Sequence, residues 1–573
     1  MFRSLYKIHA FLPELFDQFV QGQVTRRDFL RYSTLLGLSA SSAFSLIGCD
    51  DDNKEQNAQS NQEQPQSTIP EQIKPGGKVT IGMRLPNIDS PHNFGWSYSA
   101  NVVRQVCDYL TRTGSDNITK PWLLEKWQAS DDLKRWTFTL RSGITWSNGD
   151  SLTVEQVIWN IKRWLDPRIN SPMMALMKNY LLEDVATGIK TAKGQDLRET
   201  RLWSQSAIEQ IDEKSFRINC HNPQIAIPEH FFHFTALILH PSENGKFGVG
   251  SLGTGPFILR EFVKEKYALL VKREDYWHHK VMLDEVEFID FGDDAAKPIA
   301  AIAGEKIDGL HEASTTQYVA LERLNQLEFY QIPSAQTAVV RMQPIHAEWH
   351  DMRVRKALKL ALDNQKILQI SHLGLGLVGE HHHVSLLHSD YAKLPPIQPN
   401  IAKAKELLAE AGFPNGFSTE IVCKKDPDWE LIAVQAMSQM WHEIGVDVRI
   451  NVVSSSQYWE SWKSDSIPFA FTSWTHFPFG TMALDLAYGT GSPWNESYYS
   501  NPVFDELLLK AGSIFDPKAR SGVMAELEYI MQEEGPICQP LWRTLFTVMH
   551  KRIGGFILHP SGYIFAEDLW IQP

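Results

Sequence analysis

Five histidines, His372, His381, His382, His383 and His388, crowd one stretch of the chain that also holds Gly374, Gly376 and Gly379. Neutral imidazoles suit nickel, zinc and copper, so metal or metal-chelate binding is the first chemistry these residues could do. The glycines make the loop pliable, and three consecutive side chains rarely converge on one ion without a helix or strand to aim them. Hydrogen-bonded or solvent-facing imidazoles are therefore expected, with no resident metal and no cofactor. Arg341 lies in the apolar run Val339–Gln343. An inward-facing guanidinium needs an anion, expected to be an internal carboxylate, with a ligand carboxylate as the alternative. Between Asp485 and Tyr499, the rings of Tyr488, Trp494, Tyr498 and Tyr499 stand among Gly489 and Gly491. Such a loop either stacks on a sugar, a side chain or a heterocycle, or packs over a core edge. Trp474 ends an apolar run and points Thr475, His476 and Phe477 beyond it. Ligands of open α/β sheets bind at the carboxyl ends of strands, so the candidate ligand-binding set is His476, Trp474, Arg341, Tyr488, Trp494 and His383.

Several function classes lack their residues. No GxSxG elbow, HExxH helix or P-loop occurs, and an enzyme is not expected. The formal net charge is −13 over 573 residues, with no basic stripe to recruit nucleic acid. The five cysteines, at 49, 107, 220, 423 and 538, form neither CxxC pairs nor a close, even framework. Aromatic residues are abundant, with 18 Trp, 16 Tyr and 29 Phe, as thick cores or an aromatic-lined cavity would require.

The N-terminal residues read as an address. Thr25, Arg26, Arg27, Asp28, Phe29 and Leu30 precede an uncharged run from Tyr32 to Gly48, a charged region followed by an apolar one. The pattern resembles the twin-arginine export signal, matching it at every defined position. Leu46, Ile47, Gly48 and Cys49 look like the lipobox of bacterial lipoproteins, which makes Cys49 the expected lipidation site. An uncut anchor is the alternative, although about 17 apolar and small residues is at the lower limit for spanning a bilayer. Asp50, Asp51 and Asp52 resemble an inner-membrane retention signal. Residues 1–48 are thus expected to be the signal peptide and 49–76 a disordered tether rich in Gln, Asn, Ser, Glu and Pro.

A folded body must follow. Val79 and Ile81 alternate as a strand; Trp136, Phe138 and Leu140 alternate likewise, and Ile144 with Trp146 suggests a second strand after a turn at Gly143. Val154, Val157, Ile158, Ile161, Trp164 and Leu165 recur at helical spacing until Asp166 and Pro167. Further on, a strand near Thr419–Cys423, a helix over Trp429–Ile444 and a strand over Val446–Val452 form a βαβ unit. The apolar run Pro468–Trp474 predicts a strand of a parallel sheet, buried on both faces. Helices are also predicted from Asp351, and from Asn400 to Ala411 with Gly412 as the stop.

Segments in order along the chain resemble the extracellular solute-binding protein family 5 of oligopeptide, dipeptide and nickel receptors. They are Trp127–Trp146, Thr153–Pro167, Gly253–Phe257, Tyr276–Trp277, Gly304–Asp308 and Arg353–Leu358, within a likeness running from about Gly77 to Trp542. The resemblance implies an α/β, two-lobed periplasmic-binding-protein-like fold (type II, cluster C) with an extra domain inserted in the first lobe. Carried over, lobe I is 77–123, 245–310 and 541–573, the insert 124–244 and lobe II 311–540. It further implies the solute-binding subunit of an ABC importer, most simply for a peptide or peptide-like compound enclosed by lobe closure. A sensor or a metal-chelate receptor is the alternative. The implied partners are the small-molecule or peptide ligand, ABC permease and ATPase subunits, and the membrane through the lipid anchor. The implied state is a monomer on the periplasmic face of the inner membrane. The chain departs from the family at two positions: Arg341 stands where relatives usually carry asparagine, and peptide receptors place an aspartate for the peptide ammonium where His476 stands, a neutral imidazole supplying no fixed negative charge.

Overall fold

The computed structural model describes residues 5–47, 73–190 and 196–572. Cys49, and the tether up to residue 72, lie outside them. Residues 5–47 form three helices, α1 (Leu12–Val20), α2 (Arg26–Leu35) and α3 (Ala40–Ile47). Thr25 caps α2 by accepting the Asp28 backbone N–H at 3.1 Å, which satisfies one of the donors that a helix start leaves open. Phe29, Leu30, Tyr32 and Leu35 of α2 are buried against the body.

Period-two alternation yields strands at Val79–Ile81, Trp136–Leu140 and Val446–Val452. The ten principal strands are β1 (Lys78–Gly82), β2 (Phe257–Val263), β3 (Tyr267–Lys272), β4 (Glu285–Ile289), β5 (Gly309–Leu310), β6 (Leu327–Met342), β7 (Phe417–Lys424), β8 (Val446–Val453), β9 (Phe469–Trp474) and β10 (Leu541–His550). They run in the order β2, β3, β4, β1, β5, β10, β6, β9, β7, β8. The first five belong to one lobe and the last three to the other. β6 and β10 cross between them: the first half of β6 pairs with β10, and after an irregularity between Pro333 and Thr337 its second half pairs with β9.

This crossing differs from the carried-over boundary at residue 311. Ala313, Leu321 and Leu327 share a core with Ile302, Leu310 and Phe546 of the first lobe, so the chain enters the second lobe at 334–337. A second difference concerns β9. It is buried almost throughout, as its apolar run requires, but only β7 runs parallel to it; β6 is antiparallel. The sheet is mixed.

The insert is built on an antiparallel sheet ordered Leu124–Ala129, Arg135–Leu140, Ser215–Asn219, Ile208–Gln210. Trp136, Phe138 and Leu140 face its core, whereas Thr145 makes only an isolated bridge to Ser151 in place of the strand expected at Ile144–Trp146. Against it packs α4 (Val154–Trp164), held by a capping box between Thr153 and Gln156. In the second lobe, α5 (Asp428–His442) connects parallel β7 and β8, and Val354, Leu358, Ile421, Trp441 and Phe469 share one core.

Candidate functional site

A cavity of about 80 Å³ lies between the lobes, smaller than the roughly 300–1,000 Å³ usual for small-molecule sites. Strand ends place its lining. Beyond β5 come His311 and Glu312; Lys424 ends β7, and beyond it come Asp426 and, in the first turn of α5, Glu430; beyond β9 comes Thr475, after Ser473 and Trp474. The crossing strands add Gln336 and Arg543, the insert adds Phe234, and the C-terminal region adds Ser561 and Gly562. This is the carboxyl-end geometry of open α/β sheets, met in both lobes.

The cavity is closed by aromatic contacts that cross between domains. Trp96 of the first lobe stacks on Trp459 of the second at 5.8 Å, and Phe234 of the insert meets Trp494 at 5.6 Å. Trp462, Trp474 and Trp494 continue the wall, with centroids 5.9–6.2 Å apart. Such surfaces hold flat apolar groups, and their negative faces also favour cations.

Charge in the cavity leans acidic. Lys424 pairs with Glu430 at 2.6 Å, and Arg543 pairs with Glu312. A third cation, Arg84, is shared by Asp290 at 3.0 Å, by Asp293 and by Asp426 at 3.2 Å. Of these groups, three carboxylates (Glu312, Asp426, Glu430) and two cations (Lys424, Arg543) line the cavity itself. Burial pushes the Asp426 carboxyl up to about 6 against the pull of Arg84, and Asp293 and Glu312 add repulsion. Glu312 is held below the usual carboxylate range because Arg543 and His311 outweigh its burial. Polar atoms of the lining, among them Trp459 Nε1, Thr475 Oγ1, Arg543 Nε and His311 Nδ1, are buried without a hydrogen-bond partner among the described residues. Buried groups of this kind are normally satisfied.

Of the six residues singled out from sequence, Trp474 and Trp494 line the cavity. The other four stand behind its wall. Arg341 has its anion inside the protein: Nε bonds Glu496 Oε2 at 3.0 Å, and a second nitrogen donates to Trp462 O at 2.9 Å. Glu496 in turn accepts Trp474 Nε1 at 3.1 Å, so the buried pair aims the indole. His383 packs on Trp474 and Tyr488 with centroids 5.2 and 5.3 Å apart; burial lowers its pKa to about 3, leaving the ring neutral. His476 has no free ring nitrogen, because Nδ1 accepts Ala335 N–H at 3.0 Å and Nε2 donates to Asn117 Oδ1 at 2.8 Å. It ties the β6 crossing point to the first lobe.

The histidine stretch is neither pliable nor solvent-facing. All five histidines are buried, and residues 376–378 pair with β10. Gly379 allows close approach there, since a Cβ would lie 2.3 Å from Gln539 O. Among the described residues no three His, Cys, Asp or Glu side chains gather as a metal site. Sequence reasoning missed Lys424, Asp426 and Glu430, although the strand-end rule applied to β9 reaches them from β7. Glu312 follows a two-residue strand that leaves no periodic signal.

Comparisons with known proteins agree with this geometry. The chain is 23% identical to the dipeptide-binding protein DppE of Bacillus subtilis over 92% of its own length and 97% of the relative's. A dipeptide-binding protein from a Pseudoalteromonas species, solved with Met-Leu, matches with TM-score 0.76 at 20% identity, covering 87% of this chain and all of that one. The binding protein AgaA of A. tumefaciens, solved with agropinic acid, also matches at TM-score 0.76, with 18% identity, covering 87% of this chain and 99% of that one. These structures share the two-lobed α/β fold. The model of the bacterial extracellular solute-binding proteins, family 5, matches residues 119–495, and the chain belongs to that family.

Proposed function

We propose that this protein is the solute-binding subunit of an ABC importer: it encloses a peptide or peptide-like amino compound between its lobes and delivers it to a membrane permease driven by ATPase subunits. The observation that carries this reading is the interlobe cavity, walled by tryptophans from both lobes, with an excess of carboxylates and with polar atoms awaiting partners. An ammonium group enclosed there needs a counter-charge. Asp426, backed by Glu312, offers one from a different strand end than the position His476 occupies. Thr475 and Arg543 Nε are placed to meet a carbonyl or carboxylate of the same solute. One structural relative is solved with the dipeptide Met-Leu and another with agropinic acid.

The protein acts by binding, not catalysis. It is exported through its twin-arginine signal, cut before Cys49 and held by lipid at the periplasmic face as a monomer. Among the described residues no helix is long and apolar enough to cross a membrane. Calorimetry with a dipeptide library tests the ligand class. N-acetylation of a binding peptide should weaken it at least tenfold; equal affinity for free and acetylated forms would remove the ammonium from the reading.

A further inference from the structure

The N-terminal helices occupy a groove that runs across the two lobes. α2 sets the Arg31 guanidinium fully inside it: one nitrogen donates to Ser389 Oγ at 3.0 Å, another to Pro478 O at 2.6 Å, and the group lies 3.8 Å above the Phe479 ring. All three acceptors belong to the second lobe. On the other side, Arg31 Nε faces Glu229 of the insert at 3.8 Å. Both side chains are 2% exposed or less; burial pushes the Glu229 carboxyl up to about 7 against the pull of Arg31, which favours its ionised form. Tyr32 OH donates to Ser389 Oγ at 2.8 Å and receives Arg520 at 3.2 Å. The insert holds the same segment elsewhere, Trp127 Nε1 donating to Leu35 O at 2.9 Å and Asp131 accepting Ala10 N–H at 3.1 Å, and in the first lobe Asp116 O accepts Arg27 Nε at 3.3 Å.

A helix that bonds both lobes at once resists their separation, because hinge opening must break one set of contacts or the other. We infer that this groove is a binding site for the chain's own N-terminal segment, and that the segment docked in it clasps the lobes in the closed arrangement. The site is built for its occupant: it matches a buried guanidinium with a buried carboxylate, and apolar Phe29 and Leu30 with apolar walls. Phe29 and Leu30 are also part of the export motif, so a receptor reading them must first draw α2 out of the groove. Release of residues 5–46 then frees the hinge, and solute exchange becomes a property of the processed protein. Release on processing rests on the export signal proposed above, whereas the clasp itself is independent of the solute.

The test measures the interlobe distance in the full chain without added solute. Spin labels at Lys306→Cys and Glu443→Cys, one exposed position in each lobe, are placed in a Cys49→Ser background; the cysteines at 107, 220, 423 and 538 are buried. The parent should give one narrow, short distance, and Arg31→Glu should raise the longer-distance population at least tenfold. Ser389→Ala, a milder change that removes the shared acceptor, should shift it in the same direction by less. Hydrogen exchange on the same samples should show amides 29–36 protected in the parent and at least tenfold faster in Arg31→Glu. Unprotected amides in the parent would overturn the docking site. Amides released by Arg31→Glu with an unchanged distance would overturn the clasp.

Discussion

Asp426 concentrates the chemistry of the cavity in one side chain. It shares Arg84 with Asp290 and Asp293, faces Glu312, and lines the same wall as Lys424 and Glu430. Its carboxyl titrates near 6 instead of in the usual range, because burial and its acidic neighbours outweigh Arg84. The folded state therefore binds more protons than the unfolded one up to about pH 6, and the empty protein loses stability as pH rises through that value. An ammonium ligand reverses the balance by pairing with the ionised form. Affinity for such a ligand should accordingly fall as pH drops below about 6, and Asp426→Asn should weaken it at least tenfold while flattening that pH profile in calorimetry. His476 behaves differently. Its imidazole satisfies the buried Ala335 N–H, and losing such a partner costs about 1–3 kcal/mol. His476→Ala should lower the unfolding free energy by that amount in urea titration, with affinity reduced only through looser closure; an unchanged unfolding midpoint would remove it from the crossing.

At the level of elements, the strands that position the cavity do so through buried polar pairs as well as apolar packing. Arg341 on β6 and Glu496 fix the Trp474 indole from behind. Arg341→Ala strands a buried carboxylate and should cost about 3–5 kcal/mol; Arg341→Met with Glu496→Gln should cost less than the two single changes summed, as denaturant unfolding will show. Much of this scaffold is legible in the sequence. The helix that begins at Val154, the βαβ unit over 417–453 and the apolar run of β9 follow from local spacing and appear within a residue or two. What local spacing lacks is partner identity. It could not reveal that β9 lies antiparallel to β6, or that residues 313–327 join the first-lobe core, because those facts are set by contacts distant along the chain. The cavity was legible in part for the same reason: the end of β9 gave Trp474, while Asp426, Glu312 and Trp96 come together only when three separate segments meet.

For the molecule as a whole, closure is the functional coordinate. Trp96 on Trp459 and Phe234 on Trp494 are contacts made across the domains, and they seal a solute that each lobe alone could only half surround. Binding energy gained in the cavity shifts the population toward the closed form by no more than the ligand's preference for it. Mutations in the crossing strands should therefore change affinity without touching the solute. Gly379→Ala is one such case: a methyl would press on Gln539 O, next to the β10 crossing, and should lower both the unfolding midpoint and solute affinity. Native mass spectrometry of the protein purified without denaturant, with identification of any mass released on unfolding, tests capture between the lobes most directly. The account predicts release of a small amino compound or a peptide series, absent from Asp426→Asn. A protein that is empty, and stays empty when offered peptide and metabolite pools, would contradict it.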